Sequence, residues 1–509
     1  MDRGVRHSRR FVLKSLVVAL PAMLTLGAAC QSAPAPAKPA ESKPGEAVKP
    51  AAPAATTAPA APAAQPAATA VTGAQIGGAQ PTAIPTVAGE LQNPAKLEAP
   101  KVKASGPTTL TFWQYVGFHV DTQKKIAEYF KQNGDPNVSL EITAYPGLNE
   151  QRTAVKAALA AGSPTPDIIA VEPGAYCVDV YTSGSVIGFN KVFADDPEYK
   201  NGFWPNALQL LTINGETVSV PAVTNTVSVY YNKKLFAENN VQPPTTVDDL
   251  NKMAAVFNGK GITPVVLPAG EDRNQPLFPF YAAAGRHKAD ILMRQADLGQ
   301  IPWTAPELVE AASTAESWIK SDFMVKNALG IKQQDGIGLF ATGKAAMFWA
   351  GQWLRTSIRQ AIPPDFDLGI FPFPALTAGG PQPTLSSVGI TLTVNKNSKN
   401  PDLAFEMIKA LTGAWGKIEY SKGLGISPNG PISPEAIAYQ MQSLKDPLYP
   451  EFLKLQPTGT SRVLFTPQVE EAMYQGFQAI FTGGKNAKQV MEEVEAASKK
   501  AGERKFTVG

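Results

Sequence analysis

The sequence contains few of the residues on which most metal and catalytic sites depend. Its 509 residues include two cysteines and three histidines. Cys30 belongs to a leader segment, so Cys177 stands alone in the remaining chain and can form neither an internal disulfide nor a thiolate metal site there. His119 and His287 have no partner at metal-ligand spacing, and Ser-His-Asp or zinc chemistry would depend on one of them. We therefore expect no catalytic residue, no metal site and no cofactor.

Structural roles account for these side chains more simply. We expect both histidines of the mature chain to be surface or helix-capping residues and Cys177 to be a small buried apolar group. Charge is also nearly balanced, with 46 basic and 43 acidic residues and a formal net charge of +3. The chain has no cluster of basic residues of the kind that binds nucleic acid, and no apolar stretch after the leader is long enough to span a membrane. We therefore expect no nucleic-acid partner.

Residues 1–30 have the pattern of an export signal. A basic start with Arg9 and Arg10 precedes an apolar run that ends in small residues, which is typical of a segment processed outside the cytoplasm. The arginine pair resembles a twin-arginine signal, although Val12 stands where that pattern has Phe, and an ordinary secretory signal is the alternative. The residues before Cys30 resemble a lipobox, with Gly27 at the usual Leu position. We therefore expect a lipid on Cys30.

Residues 31–105 consist almost entirely of Ala, Pro, Thr, Gln, Gly and Lys. Such a segment has too few large apolar groups to offset the entropy of ordering the chain, and its prolines favour extended geometry. We predict a disordered tether over this range. With a lipid on Cys30, the tether would hold the folded part of the chain near the outer face of the cell membrane.

The remaining 400 or so residues exceed what one core usually supports, so we expect two domains. The pattern predicts a strand at Thr109–Trp113, a helix at Asp121–Gln132 and a strand at Val138–Ala144. A helix over about 149–161 and a buried strand at Asp167–Val171 follow. This alternation predicts an α/β sheet, and ligands of open α/β sheets bind beyond the carboxyl ends of the strands.

Candidate ligand-binding residues follow two of these strands. Trp113, Gln114 and Tyr115 lie at the end of the first strand, and Glu172 and Tyr176 follow the third. Aromatic rings can stack on the apolar faces of a sugar, and a carboxylate can accept hydrogen bonds from its hydroxyl groups. We therefore predict that these side chains contribute to a carbohydrate site.

Several motifs occur in an order that is recognisable. They are LTFW at Leu110–Trp113, PDI at Pro166–Ile168, YYNKKLF at Tyr230–Phe236, PPTTVDDL at Pro243–Leu250, GKAAMFWAGQW at Gly343–Trp353 and GIFPFP at Gly369–Pro374. Together they resemble the extracellular solute-binding proteins of ABC importers, in the family 1 group that includes maltose-binding protein. Val247 departs from a common Trp of this pattern, and Val388-Gly389 departs from a common Gly-Gly, which weakens any transfer of sugar specificity.

The resemblance implies a two-lobe periplasmic-binding-protein fold with a hinge, preceded by the tether. Lobe 1 would take residues 106–226 and 345–394, and lobe 2 would take residues 227–344 and 395–509. The protein would be a monomeric receptor without enzymatic activity. It would capture a carbohydrate, or a related polyol or sugar phosphate, by closing about the hinge, and deliver it to the transmembrane subunits and ATPase of a permease.

The resemblance also implies particular residues. Thr226 and Val227 in the segment Val223–Val227 would act as hinge residues, as would Asn395 in the segment Val394–Ser398. Trp353, Arg355 and Arg462 would join the ligand site, whereas Trp349 would lie in the core.

Three other classes remain open at this stage. An exported glycoside hydrolase would need two carboxylates about 5 to 10 Å apart, and no motif marks such a pair. Tyr230 and Tyr231 raise the possibility of a ferric-ion receptor, although adjacent strand residues face opposite ways. A surface lectin without a transport role would bind sugar but would not compact when it does so.

Overall fold

Two β-sheets, each covered by helices on both faces, organise the part of the chain that the computed structural model describes. The described residues are 89–161, 165–285, 289–375, 382, 384–455, 459–460 and 463–509, and all of them belong to the unit Val71–Gly509. Cys30, His287 and Arg462 lie outside the described residues, so the predictions made for them remain predictions.

The strands appear in chain order as follows. They are β1 (Thr108–Gln114), β2 (Val138–Ala144), β3 (Ile168–Val171), β4 (Val186–Ile187), β5 (Thr212–Ile213), β6 (Glu216–Thr217), β7 (Val220–Pro221), β8 (Val223–Asn232), β9 (Thr263–Val266), β10 (Ala345–Gly351), β11 (Leu368–Phe371), β12 (Thr384–Val388), β13 (Thr391–Asn395), β14 (Ser427–Pro428) and β15 (Gly459–Thr460). The first sheet has the order β2-β1-β3-β13-β4, with β7 beside β13. The second sheet has the order β15-β12-β8-β10-β9, with β11 and β14 also paired to β8.

The helices alternate with these strands. They are α1 (Val120–Asn133), α2 (Leu148–Ala161), α3 (Ala175–Thr182), α4 (Asn190–Asp195), α5 (Pro197–Asn201), α6 (Pro205–Leu210), α7 (Lys233–Glu238), α8 (Val247–Asn258), α9 (Phe278–Gly285), α10 (Ala289–Asp297), α11 (Pro306–Lys320), α12 (Gln333–Ala341), α13 (Arg355–Ala361), α14 (Pro401–Thr412), α15 (Ala414–Leu424), α16 (Pro434–Leu444), α17 (Tyr449–Leu455), α18 (Pro467–Phe481) and α19 (Ala487–Ala501). Within the described ranges, none of them combines the length and apolar character that crossing a bilayer requires.

Local sequence patterns account for the elements of the first sheet. The parallel ladder between β1 and β2 runs from Thr108 opposite Val138 to Gln114 opposite Ala144. In β3, successive side chains enter different apolar clusters, which is why the whole strand is apolar: Ile168 packs in one and Ile169 in the other. The predicted strands and helices of this region are confirmed within one or two residues.

A hairpin turn and a helix cap also follow from short stretches of sequence. The Asn214-Gly215 pair forms the turn of the β5–β6 hairpin, and both residues have positive φ angles. At the start of α8, the Thr246 hydroxyl accepts from the Asp249 amide, and the Asp249 carboxylate accepts from the Thr246 amide. This reciprocal pair satisfies two backbone donors that the helix itself cannot satisfy.

The sequence assigned residues 345–394 to lobe 1, and this is wrong for most of that range. β10, β11 and β12 all pair with β8 in the second sheet, and β13 alone of these strands joins the first. The reverse error affects residues 395–424, since α14 and α15 pack in the apolar cluster beneath β1 and β13. The sequence of a strand indicates which of its side chains face the core, but it does not indicate which other strand it pairs with. Pairing between strands more than 100 residues apart could therefore not be predicted.

The main chain passes between the sheets at three neighbouring points. β7 ends and β8 begins around Ala222, β12 ends and β13 begins around Gly389 and Ile390, and α15 leads into β14 at Ile426. The Ala222 amide donates to the Ile390 carbonyl at 2.9 Å, and the Gly389 amide donates to the Val223 carbonyl at 2.9 Å. These three passages form one hydrogen-bonded group, which we call the crossover.

The crossover corrects the predicted hinge positions. Thr226 and Val227 lie further along β8, paired with Ser386 and Leu385 inside the second sheet. Asn395 lies at the far end of β13, paired with β4 inside the first sheet. These three residues therefore lie inside a sheet and not where the chain changes sheet. Because hydrogen bonds of the sheet fix their backbone, they cannot absorb a large rotation.

Residues 89–105 correct the predicted length of the tether. This segment runs along the first lobe, with Leu97 packed on its apolar cluster and Pro100 buried. The Leu91 amide donates to Gln442 Oε1 at 2.7 Å, and the Ala104 amide donates to Asp135 Oδ2 at 2.7 Å. The low-complexity composition predicted disorder up to residue 105. The contacts of two leucines and a few backbone hydrogen bonds nevertheless hold residues 89–105 against the folded surface.

Candidate functional site

A cavity of about 550 Å³ lies where the two sheets meet. The crossover forms one side of it, through Val223, Gly389 and Ile390, and loops from both lobes form the others. The volume is within the range of small-molecule sites, roughly 300 to 1,000 Å³. The cavity also occupies the position at which the parallel strands β1 and β3 end, as the sequence predicted.

The three candidate residues at the end of β1 have different roles. Tyr115 lines the cavity. Gln114 is fully buried, and its Oε1 accepts from the amides of Tyr115 and Val116 at 2.8 and 3.0 Å. Gln114 therefore holds the turn that presents Tyr115, and the prediction that Gln114 itself contacts ligand is wrong for this arrangement.

Trp113 and Tyr176 lie away from the cavity, behind the end of the sheet. The Trp113 ring meets the Tyr145 ring edge to face, with centroids 5.4 Å apart. Tyr176 is 5% exposed and donates from its hydroxyl to Gln151 Oε1 at 3.0 Å. Alternation along β1 turns Trp113 to the face opposite Phe112, so its ring packs behind the sheet.

Glu172 lines the cavity at the end of β3, close to a contact between the lobes. Two residues on, Gly174 has φ of +99°, and a β-carbon there would lie 2.2 Å from the Leu464 carbonyl oxygen. The Ala175 amide donates to that same oxygen at 2.9 Å. Glycine is therefore required both by the backbone conformation and by the close approach of the second lobe.

Trp353 lines the cavity in a short 3-10 turn after β10. Its ring lies over Gly351, where a β-carbon would come within 1.9 Å of the ring. The neighbouring Gln352 is buried, and its Oε1 accepts from the amide and the hydroxyl of Ser427 at 3.2 and 2.8 Å. The turn that carries Trp353 is thus tied to β14 and the crossover, while Trp349 lies in the core, stacked on Phe373 at 4.4 Å.

Arg355 does not join the site. Its side chain is 1% exposed, and its Nε lies 3.1 Å from Asp446 Oδ2. The guanidinium also lies over the Tyr449 ring, 5.0 Å from its centroid. The sequence could not place Arg355 correctly because its carboxylate partner lies in a distant segment, and the prediction of a ligand contact is wrong.

Phe118 and His119 line the cavity although neither was a candidate. Phe118 is 58% exposed, an unusual value for a large apolar side chain. His119 is 3% exposed, so of its two expected roles the surface position is wrong, whereas it does occupy the N-cap position of α1, without a capping bond from its side chain. Its Nδ1 lies 2.9 Å from the Tyr420 hydroxyl. Burial lowers the pKa of His119 to about 3, which keeps the imidazole neutral. The aromatic character of the residues after β1 was the signal available for Phe118.

The second lobe supplies a polar wall that the sequence did not identify. Arg273 lies over the Tyr474 ring, 3.9 Å from its centroid, and its guanidinium pairs with Glu471. The Tyr474 hydroxyl donates to Asn274 Oδ1 at 2.6 Å and lies 3.5 Å from Glu470 Oε1. Helix α18 carries Glu470, Glu471 and Tyr474, and its position at the cavity depends on long-range packing that no local motif encodes.

The residues considered for metal or thiol chemistry have structural surroundings. Tyr230 is fully buried and Tyr231 faces the other side of β8. Burial raises the pKa of the Cys177 thiol to about 11, and its Sγ lies 3.5 Å from the Ser219 hydroxyl. In the described ranges, no group of three or more His, Cys, Asp or Glu side chains is arranged to hold a metal ion.

Curated relatives and solved structures resemble this chain at low identity. The multiple sugar-binding protein of Streptococcus mutans is 23% identical over 337 residues, which cover 62% of this chain and 75% of that protein. The maltodextrin-binding protein MdxE of Bacillus subtilis is 25% identical over 215 residues, or 41% of this chain and 49% of that protein.

Two solved structures illustrate the shared fold. A chitin oligosaccharide binding protein superposes with a TM-score of 0.67 at 19% identity, covering 78% of this chain and 99% of that chain. The GacH receptor of Streptomyces glaucescens, studied without ligand and with acarbose, has a TM-score of 0.63 at 22% identity and covers 77% of this chain and 98% of that chain. At these identities the likeness confirms the predicted two-lobe α/β fold.

The family itself is matched over more than half of the chain. A profile of the family described as bacterial extracellular solute-binding protein matches residues 119–417. That range contains the loop after β3, the β7–β8 and β12–β13 passages of the crossover and the Trp353 turn, so it includes most of the cavity, although Tyr115, Phe118 and helix α18 lie outside it. The family consists of binding proteins and not of enzymes. The chain belongs to the bacterial extracellular solute-binding proteins.

Proposed function

We propose that the cavity between the lobes binds a sugar. The observation that carries this proposal is the exposed ring of Phe118 in a cavity that Trp353 and Tyr115 also line. Aromatic faces pack on the C–H faces of sugars, and the carboxylates and amides beside them can accept or donate hydrogen bonds at the hydroxyl groups. Relatives named for multiple sugars and for maltodextrin support the same class.

A thermal-shift screen over mono- and oligosaccharides tests this proposal. A sugar at 100 times its dissociation constant adds about 2.7 kcal/mol to the free energy of unfolding. For the best sugar, Trp353→Ala and Phe118→Ala should each raise the dissociation constant by about tenfold, since a lost aromatic contact costs about 1 to 2 kcal/mol. Tyr129→Ala is the matched control, because Tyr129 is a partly exposed ring stacked on Trp415 and away from the cavity. If all three variants lost sugar affinity equally, the Trp353 and Phe118 rings would not be part of the sugar site.

The crossover is the proposed hinge. The chain passes between the lobes through short connections there, and after α19 it returns to the first lobe, where Val508 pairs with Ile213. A rotation about Ala222, Gly389 and Ile426 would open or close the cavity. A closed, sugar-bound form is then what a membrane permease with its ATPase would recognise. Small-angle X-ray scattering should show a smaller radius of gyration with the best sugar, and an unchanged radius would favour a lectin over an import receptor.

Export and anchoring complete the proposed role. The family name supports a position outside the cytoplasm, and we propose that Cys30 carries a lipid and that residues 31–88 act as the tether. Mass spectrometry of the mature N-terminus tests the lipid, and a cleaved N-terminus without added mass at Cys30 would exclude it. We also propose a monomer, which light scattering after gel filtration tests.

A further inference from the structure

The residues that follow α19 connect the two lobes. Helix α19 belongs to the second lobe, where Val490 packs in the apolar cluster of that lobe. Phe506 and Val508 pack instead against the apolar cluster behind β3 in the first lobe. Residues 502–509, which we call the return segment, therefore run from the second lobe to the first.

Arg504 fixes the return segment to the second lobe. Its Nε lies 2.9 Å from the Asp297 carbonyl oxygen and 3.0 Å from the Thr466 hydroxyl, and its Nη2 donates to the Ser498 hydroxyl at 2.9 Å. These three groups lie at the end of α10, before the start of α18 and on α19. A guanidinium has five donors in one plane, so a single side chain can bond to all three elements.

The other end of the return segment is bonded to the β5–β6 hairpin of the first lobe. The Asn214 amide donates to the Thr507 carbonyl at 3.1 Å, and the Gly509 amide donates to the Thr212 carbonyl at 3.0 Å. Val508, between these two bonds, pairs antiparallel with β5. The return segment is thus held to the first lobe by main-chain hydrogen bonds as well as by apolar packing.

The anchor in the second lobe lies beside a direct contact between the lobes. In residues 463–466, which we call the contact segment, the Leu464 side chain packs in the cluster of the second lobe, whereas the side chains on either side of it pack in that of the first. The Leu464 carbonyl accepts from the Ala175 amide of the first lobe at 2.9 Å. The Phe465 amide donates to Asp297 Oδ2 at 2.5 Å. Asp297 therefore holds the contact segment through its carboxylate and the return segment through its carbonyl.

The return segment cannot lengthen much between its two anchors. The side chains of Arg504, Phe506 and Val508 are partly buried and those between them are exposed, which is the alternation of an extended chain. An extended chain spans at most about 3.6 Å per residue, so the Cα atoms of Arg504 and Thr507 can be separated by no more than about 11 Å. Any movement that separates the lobes further at this point must first break the bonds of one anchor.

We propose that the return segment is a clasp, which keeps the contact segment against the first lobe while the cavity is empty and so limits how far the lobes open about the crossover. Two bodies that are attached at a second place have fewer ways to rotate than two bodies attached at one. The contact segment lines the cavity through Val463 and Leu464, so the clasp also fixes part of the cavity wall. The inference goes beyond the proposed function, because the clasp acts without a sugar.

Amide hydrogen exchange of the full chain without sugar tests the clasp. Phe506→Ser combined with Val508→Ser removes the apolar anchor on the first lobe, and Arg504→Gln removes the anchor on the second. In each variant, peptides that contain Ala175 or Phe465 should exchange at least about tenfold faster, because the contact segment separates from the first lobe more often. Peptides from β1 and β10 should keep their wild-type rates, since the ladders of these strands lie within one lobe each.

Small-angle X-ray scattering supplies a second measurement. Both variants should have a larger radius of gyration than wild type without sugar, because their lobes open further. Lys505→Ala is the matched control, because Lys505 lies on the same segment with an exposed side chain, and it should change neither the exchange rates nor the radius. If the double substitution prevents folding, Val508→Ala, which shortens the side chain and keeps the main-chain pairing, takes its place.

Two outcomes overturn the inference. Wild-type exchange rates at Ala175 and Phe465 in both variants would show that the return segment does not hold the lobes together. Equal acceleration in β1 and β10 would show that it stabilises the fold as a whole. Because no sugar is used, the result is independent of the proposed function, and a protein that binds no sugar can still contain the clasp.

Discussion

Replacing Glu470 by Gln should flatten the pH dependence of the free energy of unfolding. The Glu470 side chain is 12% exposed and lies among the charges of Glu172, Arg152, Arg273 and Asp297. Glutamine has nearly the same shape but carries no titrating proton. The substitution therefore removes one ionisation from the folded state with little change in packing.

The sign and size of the effect follow from the pKa. Because the pKa of Glu470 rises from 4.5 in the unfolded chain to about 7 in the folded protein, the folded state holds the proton more tightly. Its contribution to stability is fully present below the unfolded pKa and is lost as pH rises through the folded pKa. The difference between the two values corresponds to a loss of at most about 3 kcal/mol, and we expect about 2 kcal/mol because part of the titration lies outside the interval from pH about 5 to about 8.

Urea unfolding followed by tryptophan fluorescence, at pH about 5 and about 8, measures this loss. Asp297 also has a raised pKa, near 6, and loses stability over the same interval, so the relevant quantity is the difference between wild type and variant. Wild type should lose about 2 kcal/mol more than Glu470→Gln between the two pH values. Glu492→Gln should lose as much as wild type, because the Glu492 side chain on α19 is 56% exposed. Equal losses in Glu470→Gln and wild type would refute the raised pKa and the burial that chiefly causes it.

Three further predictions concern Arg355, Gly174 and residues 89–105. Arg355→Ala should lower the free energy of unfolding by about 2–3 kcal/mol, because the buried Asp446 carboxylate loses one of its two guanidinium partners and keeps Arg359; sugar affinity of the folded protein should not change, and a changed dissociation constant would return Arg355 to the site. Gly174→Ala should weaken sugar binding and enlarge the protein in scattering experiments, because the new β-carbon meets the Leu464 carbonyl; unchanged binding would show that this contact is not part of closure. Removing residues 89–105 should lower the midpoint of thermal unfolding compared with a chain that starts at residue 89, because Leu97 and the backbone bonds of this segment are lost; equal midpoints would restore the longer tether.

Local patterns account for several elements of both lobes. The alternation in β2, the apolar run of β3, the Asn214-Gly215 turn and the Thr246–Asp249 cap each depend on a few adjacent residues. Their physical causes, which are side-chain periodicity, positive φ angles and unsatisfied helix donors, act within one element. Such predictions needed no knowledge of what lies next to the element.

The candidate site was predicted in part, and its errors share one cause. Tyr115, Glu172 and Trp353 line the cavity, whereas Gln114 and Arg355 are buried beside groups that hold them. A polar residue at a strand end has the same local sequence whether it faces a ligand or supports its neighbour. Which of the two roles the residue has depends on its interaction partner, and the partner of Arg355 lies in a different segment of the chain.

The alternation of strands and helices, and the resemblance that the family match confirms, followed from the sequence alone, which also predicts the leader. These properties depend on composition and on neighbours along the chain. Only the tertiary structure decided which sheet β10 to β12 join, where the chain crosses between lobes, and that Glu172 and Glu470 both line the cavity. Each of these depends on contacts between residues far apart in sequence, because strand pairing and charge repulsion act through space.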